Sequence, residues 1–230
     1  MHIHGLQKLA MVDYPGKLAA TVFTGGCNLR CPFCHNALLV TRLAETPEIP
    51  EQEVLDFLAS RRGLLDGVVL TGGEPLLQPD AADFLRKVRE LGFAVKLDTN
   101  GCDPARLAEI LNQGLVDYVA MDVKNSPERY AETAGVPGLD LGPIRESVTW
   151  LLEGRVDYEF RTTVVRQFHD EDSFRSIGPW LAGASRYFLQ SFVGRDTVLC
   201  PGLEAWPKER LEAFAELVRP WVPTVALRGV

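Results

Sequence analysis

The sequence predicts an α/β fold, a parallel sheet with helices packed outside it. Two observations carry this expectation: short apolar runs alternate with amphipathic segments, and their order is a repeated βα. A third bounds it, because 230 residues that are 46% hydrophobic and 24% charged bury a substantial core within the size range of one α/β domain.

Strands are expected at Leu18 to Phe23, Gly67 to Leu70, Ala94 to Leu97, Tyr118 to Asp122, Tyr158 to Val165 and Tyr187 to Leu189. The first intervening helix starts at Pro50, carries Glu51 and Glu53 in its acidic first turn, and buries Val54, Leu55 and Leu58. The next sets Phe84, Leu85, Val88 and Leu91 on one face and stops at Gly92. A third opens with Asp103 as cap and Pro104 at its first position, then shows Leu107, Ile110 and Leu111 before Gly114. Later helices carry Ile144, Val148, Leu151 and Leu152, then Phe174, Ile177 and Leu181, then Leu211, Phe214 and Val218. Six such units are fewer than the eight that close a barrel, so periodicity leaves two architectures: an incomplete (βα)6 TIM-type barrel or an open doubly wound sheet. No linker, internal repeat or low-complexity stretch divides the chain, which is expected to be a single domain over 1–230.

Composition narrows the function classes. A formal charge of -7 and a pI near 5.2 argue against binding through a general nucleic-acid footprint, and pairs such as Arg61-Arg62 read as solvated charge. No apolar run reaches spanning length and no lipidation signal is present, so a soluble cytoplasmic protein without membrane association is expected. There is no GxGxxG, Walker motif or nucleophile elbow. His2 and His4 lie at a terminus expected to be mobile, and His169 lies in the polar run Gln167 to Asp172; none is assigned to catalysis.

The loop after the first strand is the informative one. Cys27, Cys31 and Cys34 fall within eight residues, and three thiolates on a short loop hold three irons of a [4Fe-4S] cluster while the fourth iron stays open. A zinc site prefers four ligands in two separated pairs, and His35 follows Cys34 too closely for both to face one ion. Five cysteines in 230 residues, without an apolar leader, do not suggest a disulfide framework. Cys102 or Cys200 remains available as a fourth thiolate, which would make the protein a non-catalytic electron carrier. Further along, Thr71-Gly72-Gly73-Glu74-Pro75, Asp98-Thr99-Asn100-Gly101 and Met121-Asp122-Val123-Lys124 each follow or end a strand. C-terminal strand ends form one face in parallel α/β folds, so these segments are expected to converge on a single pocket.

The CxxxCxxC spacing, with the three later segments in the same order, resembles the signature of the radical S-adenosylmethionine (SAM) superfamily over essentially the whole chain. Within it, the Cys34-His35-Asn36 ending and the DTNG and DVK segments are similar to the activating enzymes of glycyl-radical enzymes. The resemblance implies the incomplete barrel. It also implies an oxidoreductase in which a reduced [4Fe-4S] cluster cleaves SAM to methionine and a 5'-deoxyadenosyl radical, which removes a hydrogen from a glycine Cα of a partner. No catalytic side chain is expected beyond the cluster and SAM.

By the same resemblance, Gly72, Gly73 and Glu74 receive the amino group of SAM's methionine portion, and Asp98, Thr99 and Asn100 lie near that portion. Lys124 and Arg161 face its carboxylate, and Phe33 and His35 lie beside the adenine. Asp98, Thr99 and Asp122 are expected to help hold a monovalent cation. Gly5-Leu6-Gln7-Lys8-Leu9 and Asp13-Tyr14-Pro15-Gly16-Lys17 resemble the branch that activates anaerobic ribonucleoside-triphosphate reductase, whereas pyruvate formate-lyase activators usually carry DGPG at Asp13 to Gly16. The expected partners are therefore that reductase and a one-electron donor such as flavodoxin or ferredoxin. A pyruvate formate-lyase-type activase, or a radical SAM enzyme acting on a small molecule or peptide, is the alternative. No cysteine-rich insert follows the loop, so further ferredoxin-type clusters are not expected.

Overall fold

Strands form where the apolar runs lie, and they continue past them on both flanks of the sheet. The computed structural model describes Met1–Val230. Its strands are β1 (Ile3–Ala10), β2 (Ala19–Thr24), β3 (Gly67–Gly72), β4 (Ala94–Thr99), β5 (Tyr118–Asp122), β6 (Asp157–Val164), β7 (Arg186–Ser191) and β8 (Thr224–Arg228). Its helices are α1 (Ala37–Thr41), α2 (Glu51–Ala59), α3 (Ala81–Glu90), α4 (Pro104–Asn112), α5 (Tyr130–Thr133), α6 (Gly142–Leu152), α7 (Glu171–Trp180) and α8 (Lys208–Val218).

All strands belong to one sheet in the order β1 to β8, with every pair from β2 to β8 parallel. β1 runs antiparallel to β2, pairing Ile3 with Thr24 and Ala10 with Ala19. The six expected strands all form. β1 and β8 are additions, because β1 carries Gln7 and Lys8 and β8 is only partly buried, so neither stands out as an apolar run. The sequence order of the sheet is linear and β8 does not pair with β1, so the barrel is incomplete.

The N-terminus is not the loose segment that its polar residues suggested. Ile3 is fully buried, His4 Nδ1 lies 3.2 Å from the Thr46 carbonyl, and the Met1 ammonium lies 3.3 Å from Glu51 Oε2 with Asp80 beside it. His169 is likewise a core residue. It is 1% exposed, its Nδ1 accepts from the Val165 amide at 3.1 Å, and its Nε2 lies 2.8 Å from the Lys124 carbonyl. Burial lowers its pKa to about 4, so it stays neutral as a spacer between the ends of β5 and β6.

The main core lies between the sheet and the helices, where Leu58, Phe84, Leu85, Ile110, Ile144, Phe174, Ile177, Leu211 and Phe214 are fully buried. Helix ends follow the sequence signals: Asp103 accepts from the Arg106 amide at 2.9 Å, and Asp170 with Ser173 makes a capping box at α7. A smaller cluster of Tyr14, Ala19, Val69 and Tyr118 fills the opposite side of the sheet. There Glu159, with no exposed surface, accepts from Tyr118 Oη at 2.6 Å and from Arg228 Nη2 at 2.8 Å, joining β5, β6 and β8. No helix is long and apolar enough to cross a membrane.

Candidate functional site

Every residue singled out from the sequence for cluster or SAM chemistry lines one cavity of about 500 Å³. Cys27, Cys31, Phe33, Cys34 and His35 come from the loop after β2, Gly72, Gly73 and Glu74 from the end of β3, and Asp98, Thr99 and Asn100 from the end of β4. Asp122 and Lys124 follow β5, and Arg161 projects from β6. Gln7 of β1 and Gln190 of β7 also line it, so strands from β1 to β7 contribute to its wall. A volume of this size suits a cofactor-sized ligand.

The cysteine loop is fixed by hydrogen bonds to its surroundings. The Gly25 carbonyl accepts from Gln78 Nε2 at 2.9 Å, the Gly26 carbonyl from the Glu74 amide at 2.8 Å, and the Arg30 amide donates to Ala134 at 2.9 Å. Asn36 Nδ2 donates to the Gly72 carbonyl at 2.9 Å. On the far side, the Cys200 amide donates to the Pro32 carbonyl at 2.9 Å and His35 Nε2 lies 2.8 Å from the Val193 carbonyl, so the segment after β7 straps the loop down. The His35 ring stacks on Phe192, with centroids 5.7 Å apart.

Gly73 explains why the glycine pair is needed beyond making a turn. A Cβ at this position would stand 1.9 Å from the Gly26 carbonyl oxygen, so only glycine lets the end of β3 meet the cysteine loop.

All five cysteines are free thiols. Burial raises the Cys27, Cys31 and Cys34 pKa values, Cys31 to about 12, while the Lys124 charge pulls each of them back. The Leu29 amide donates to Cys27 Sγ at 3.4 Å, and Asn100 Nδ2 lies 3.8 Å from the same sulfur. Amide donors and a nearby ammonium suit thiolates that share an anionic iron-sulfur cluster. The thiols do not gather as donors to a single ion. Cys102 and Cys200 do not line the cavity.

Glu74 is 2% exposed and accepts three hydrogen bonds: Leu76 N at 3.0 Å and Thr99 Oγ1 at 2.8 Å on Oε1, and Asn100 N at 2.7 Å on Oε2. A carboxylate has about four acceptor positions, so one remains, at Oε2. Burial pushes this carboxyl up to about 7, against the pull of the three donors.

Lys124 and Arg161 find anionic partners within the chain itself. Asp122 accepts from Arg161 Nε at 2.8 Å and from Lys124 Nζ at 3.0 Å, and Asp98 accepts from Arg161 Nη1 at 3.1 Å. The other oxygen of Asp98 is taken by Lys96. Against the cost of burial, Arg161 and Lys124 hold the Asp122 carboxyl well below the usual carboxylate range. Arg161 keeps three of its five donors and Lys124 two of its three for a ligand.

The residues of the expected monovalent-cation site also bind one another and their neighbours. Both oxygens of Asp98 and both of Asp122 already carry nitrogen cations, and Thr99 Oγ1 donates to Glu74. Lys96, Gln7, Gln190 and Arg195 were not among the residues expected at the site, although Gln7 lies in a segment noted for its resemblance to the reductase activators. The last three line the cavity, while Lys96 lies outside its lining. Only Lys96 had a visible signal, a charge inside an apolar strand two residues before Asp98.

Comparison with known proteins follows the same lines. The sequence pattern described as "Radical SAM superfamily" matches residues 21–174. A Methanocaldococcus jannaschii protein, provisionally named glycyl-radical enzyme activating enzyme MJ1227, is 34% identical over 99% of this chain and 96% of its own length. The pyruvate formate-lyase-activating enzyme of Clostridium pasteurianum is 35% identical over 54% of this chain, a match that spans 52% of that protein. Among solved structures, Streptococcus suis SuiB bound to S-adenosylmethionine superposes with a TM-score of 0.70 at 16% identity, over 88% of this chain and 48% of that one. A domain of the Bacteroides vulgatus pyruvate-formate lyase-activating enzyme superposes with a TM-score of 0.57 at 19% identity, over 71% and 99% of the two chains.

Proposed function

This chain belongs to the radical SAM superfamily, enzymes that use a [4Fe-4S] cluster and SAM, and from that premise we propose that it activates a glycyl-radical enzyme. The reading extends to the whole of 1–230 as a single radical SAM domain. What supports it is the meeting, in one cavity, of three thiols from one loop with unused donors and acceptors that match the charged groups of SAM.

Cys27, Cys31 and Cys34 would hold three irons of the cluster, and their loop is kept in place by the Gly72–Glu74 backbone and by the strap after β7. When bound, the reduced cluster supplies the electron that cleaves SAM and starts hydrogen abstraction. The free acceptor position on Glu74 takes a proton of the ammonium group, and the spare donors of Lys124 and Arg161 take the carboxylate. Asn100 ties the two regions together, since its side chain donates to Asn28 at 2.9 Å while its amide is held by Glu74. Phe33 and His35 supply flat surfaces beside which the adenine lies. Asp98 and Asp122 each accept from two nitrogen cations and keep about two of their four acceptor positions, with which they and Thr99 would help hold a monovalent cation.

The partner is a glycyl-radical protein. The Asp13-Tyr14-Pro15-Gly16 variant favours an anaerobic ribonucleoside-triphosphate reductase over pyruvate formate-lyase, with flavodoxin or ferredoxin as electron donor. The test mixes the anaerobically reconstituted, reduced protein with SAM and then with either partner. Formation of 5'-deoxyadenosine and a glycyl-radical doublet on the reductase by electron paramagnetic resonance are expected. A doublet on pyruvate formate-lyase alone reassigns the partner, 5'-deoxyadenosine without either doublet points to another substrate, and absence of 5'-deoxyadenosine refutes the enzymatic reading.

A further inference from the structure

Lys96 sits in the middle of β4, 1% exposed, outside the cavity lining and on the same side of the strand as Asp98, two residues on. A lysine buried to this degree needs an anionic partner, and Asp98 is the carboxylate it contacts. From there the charges alternate toward the cavity: Lys96, Asp98, Arg161, Asp122, Lys124, each joined to the next by an ion pair. Three cations face two carboxylates, so the series carries one excess positive charge. Without Lys96 it would be neutral, and Arg161 would be the one cation left on Asp98 while still sharing Asp122 with Lys124.

We propose that Lys96 is a positioning residue for SAM: by satisfying Asp98 from beneath, it leaves Arg161 and Lys124 with donors free for the ligand's carboxylate. The inference rests on the SAM reading above and adds a residue that no motif marks. Lys96 touches neither the ligand nor the thiols; it acts through Asp98 and Arg161. Its removal leaves a half-satisfied carboxylate in the cavity wall, which competes for Arg161 and repels a carboxylate placed beside it. A ligand with the same ammonium and sulfonium groups but no carboxylate does not meet that repulsion.

The experiment measures binding of SAM and of decarboxylated SAM to the reconstituted holoprotein by calorimetry under anaerobic conditions, for wild type, Lys96→Gln and Asp98→Asn. The readout is the ratio of the two affinities within one preparation, which a loss of folded protein leaves unchanged. In Lys96→Gln the ratio is expected to shift about tenfold against SAM, the scale of one hydrogen bond to a charged group. In Asp98→Asn the competing carboxylate is gone, and the ratio is expected to stay at or above that of wild type. The two variants thus separate. An unchanged ratio in Lys96→Gln, with both ligands weakened alike, overturns the proposal and makes Lys96 merely structural, as does a fall in Asp98→Asn equal to that in Lys96→Gln. Failure of the wild-type holoprotein to bind SAM overturns the site reading instead.

Discussion

Replacing Glu74 with Gln tests whether burial or hydrogen bonding governs this carboxyl. The group is 2% exposed and accepts from three donors, and burial wins, taking its pKa from 4.5 to about 7. Between those values the folded protein holds a proton that the unfolded chain has released. The stability contributed by Glu74 is therefore complete below pH 4.5 and is lost as pH rises through 7. At roughly 1.4 kcal/mol per pH unit, the loss is about 3 kcal/mol. His169 works in the opposite sense over nearly the same range: its pKa falls from 6.5 to about 4, so the unfolded chain takes up the proton first and stability grows as pH rises from 4 to 6.5. The two effects are of similar size and nearly cancel in the wild-type curve. Subtracting the Glu74→Gln curve removes His169 and isolates Glu74. The assay is urea unfolding of cluster-free, SAM-free wild type and variant at constant salt from pH 5 to 8. The stability of wild type relative to the variant is expected to fall by about 3 kcal/mol across that range. A difference that rises with pH refutes the reasoning, since it would show that the three donors outweigh burial and that the carboxyl lies below 4.5.

Two substitutions test the supports of the site. Gly73→Ala puts a methyl group 1.9 Å from a backbone oxygen that cannot swing aside, and is expected to cost about 1–3 kcal/mol in urea unfolding and to lower iron content after reconstitution; wild-type values for both would show that the loop yields freely. Arg228→Met strands the fully buried Glu159 carboxylate with only Tyr118 as donor, and about 3 kcal/mol of stability is expected to be lost, the low end for a broken buried pair because Arg228 is partly exposed; a change below about 1 kcal/mol contradicts the role given to that pair.

Much of the fold was legible because the same apolar runs that β-strands need are the ones a parallel sheet buries. Tyr118 to Asp122 matches β5 end to end, and β4 begins at Ala94 as expected. The edge strands were not legible for a complementary reason. β1 buries only its two ends fully, and its centre, Gln7 to Leu9, is exposed, so its strand character comes from pairing with β2 and not from its own pattern. The candidate site was legible where chemistry dictates spacing, as in the cysteine loop, or where a strand must end in a special turn, as at Gly72-Gly73 and Asn100-Gly101. It was not legible where the role belongs to a lone side chain. Gln190 on β7 and Arg195 on the chain after it reach the cavity through the placement of that strand in the sheet, which no local pattern encodes. Lys124 and Arg161 were expected to face the SAM carboxylate, but the identity of Asp122 and Asp98 as their resident anions depends on three strands lying side by side.

β1 and β8 do not pair with each other, and the cavity reaches from β1 to β7. A chamber with an unsealed seam is only as dry as whatever is pressed into it. If the proposed reaction runs in this cavity, a docked substrate would cover the side that the sheet leaves open, and docking would itself help to exclude water.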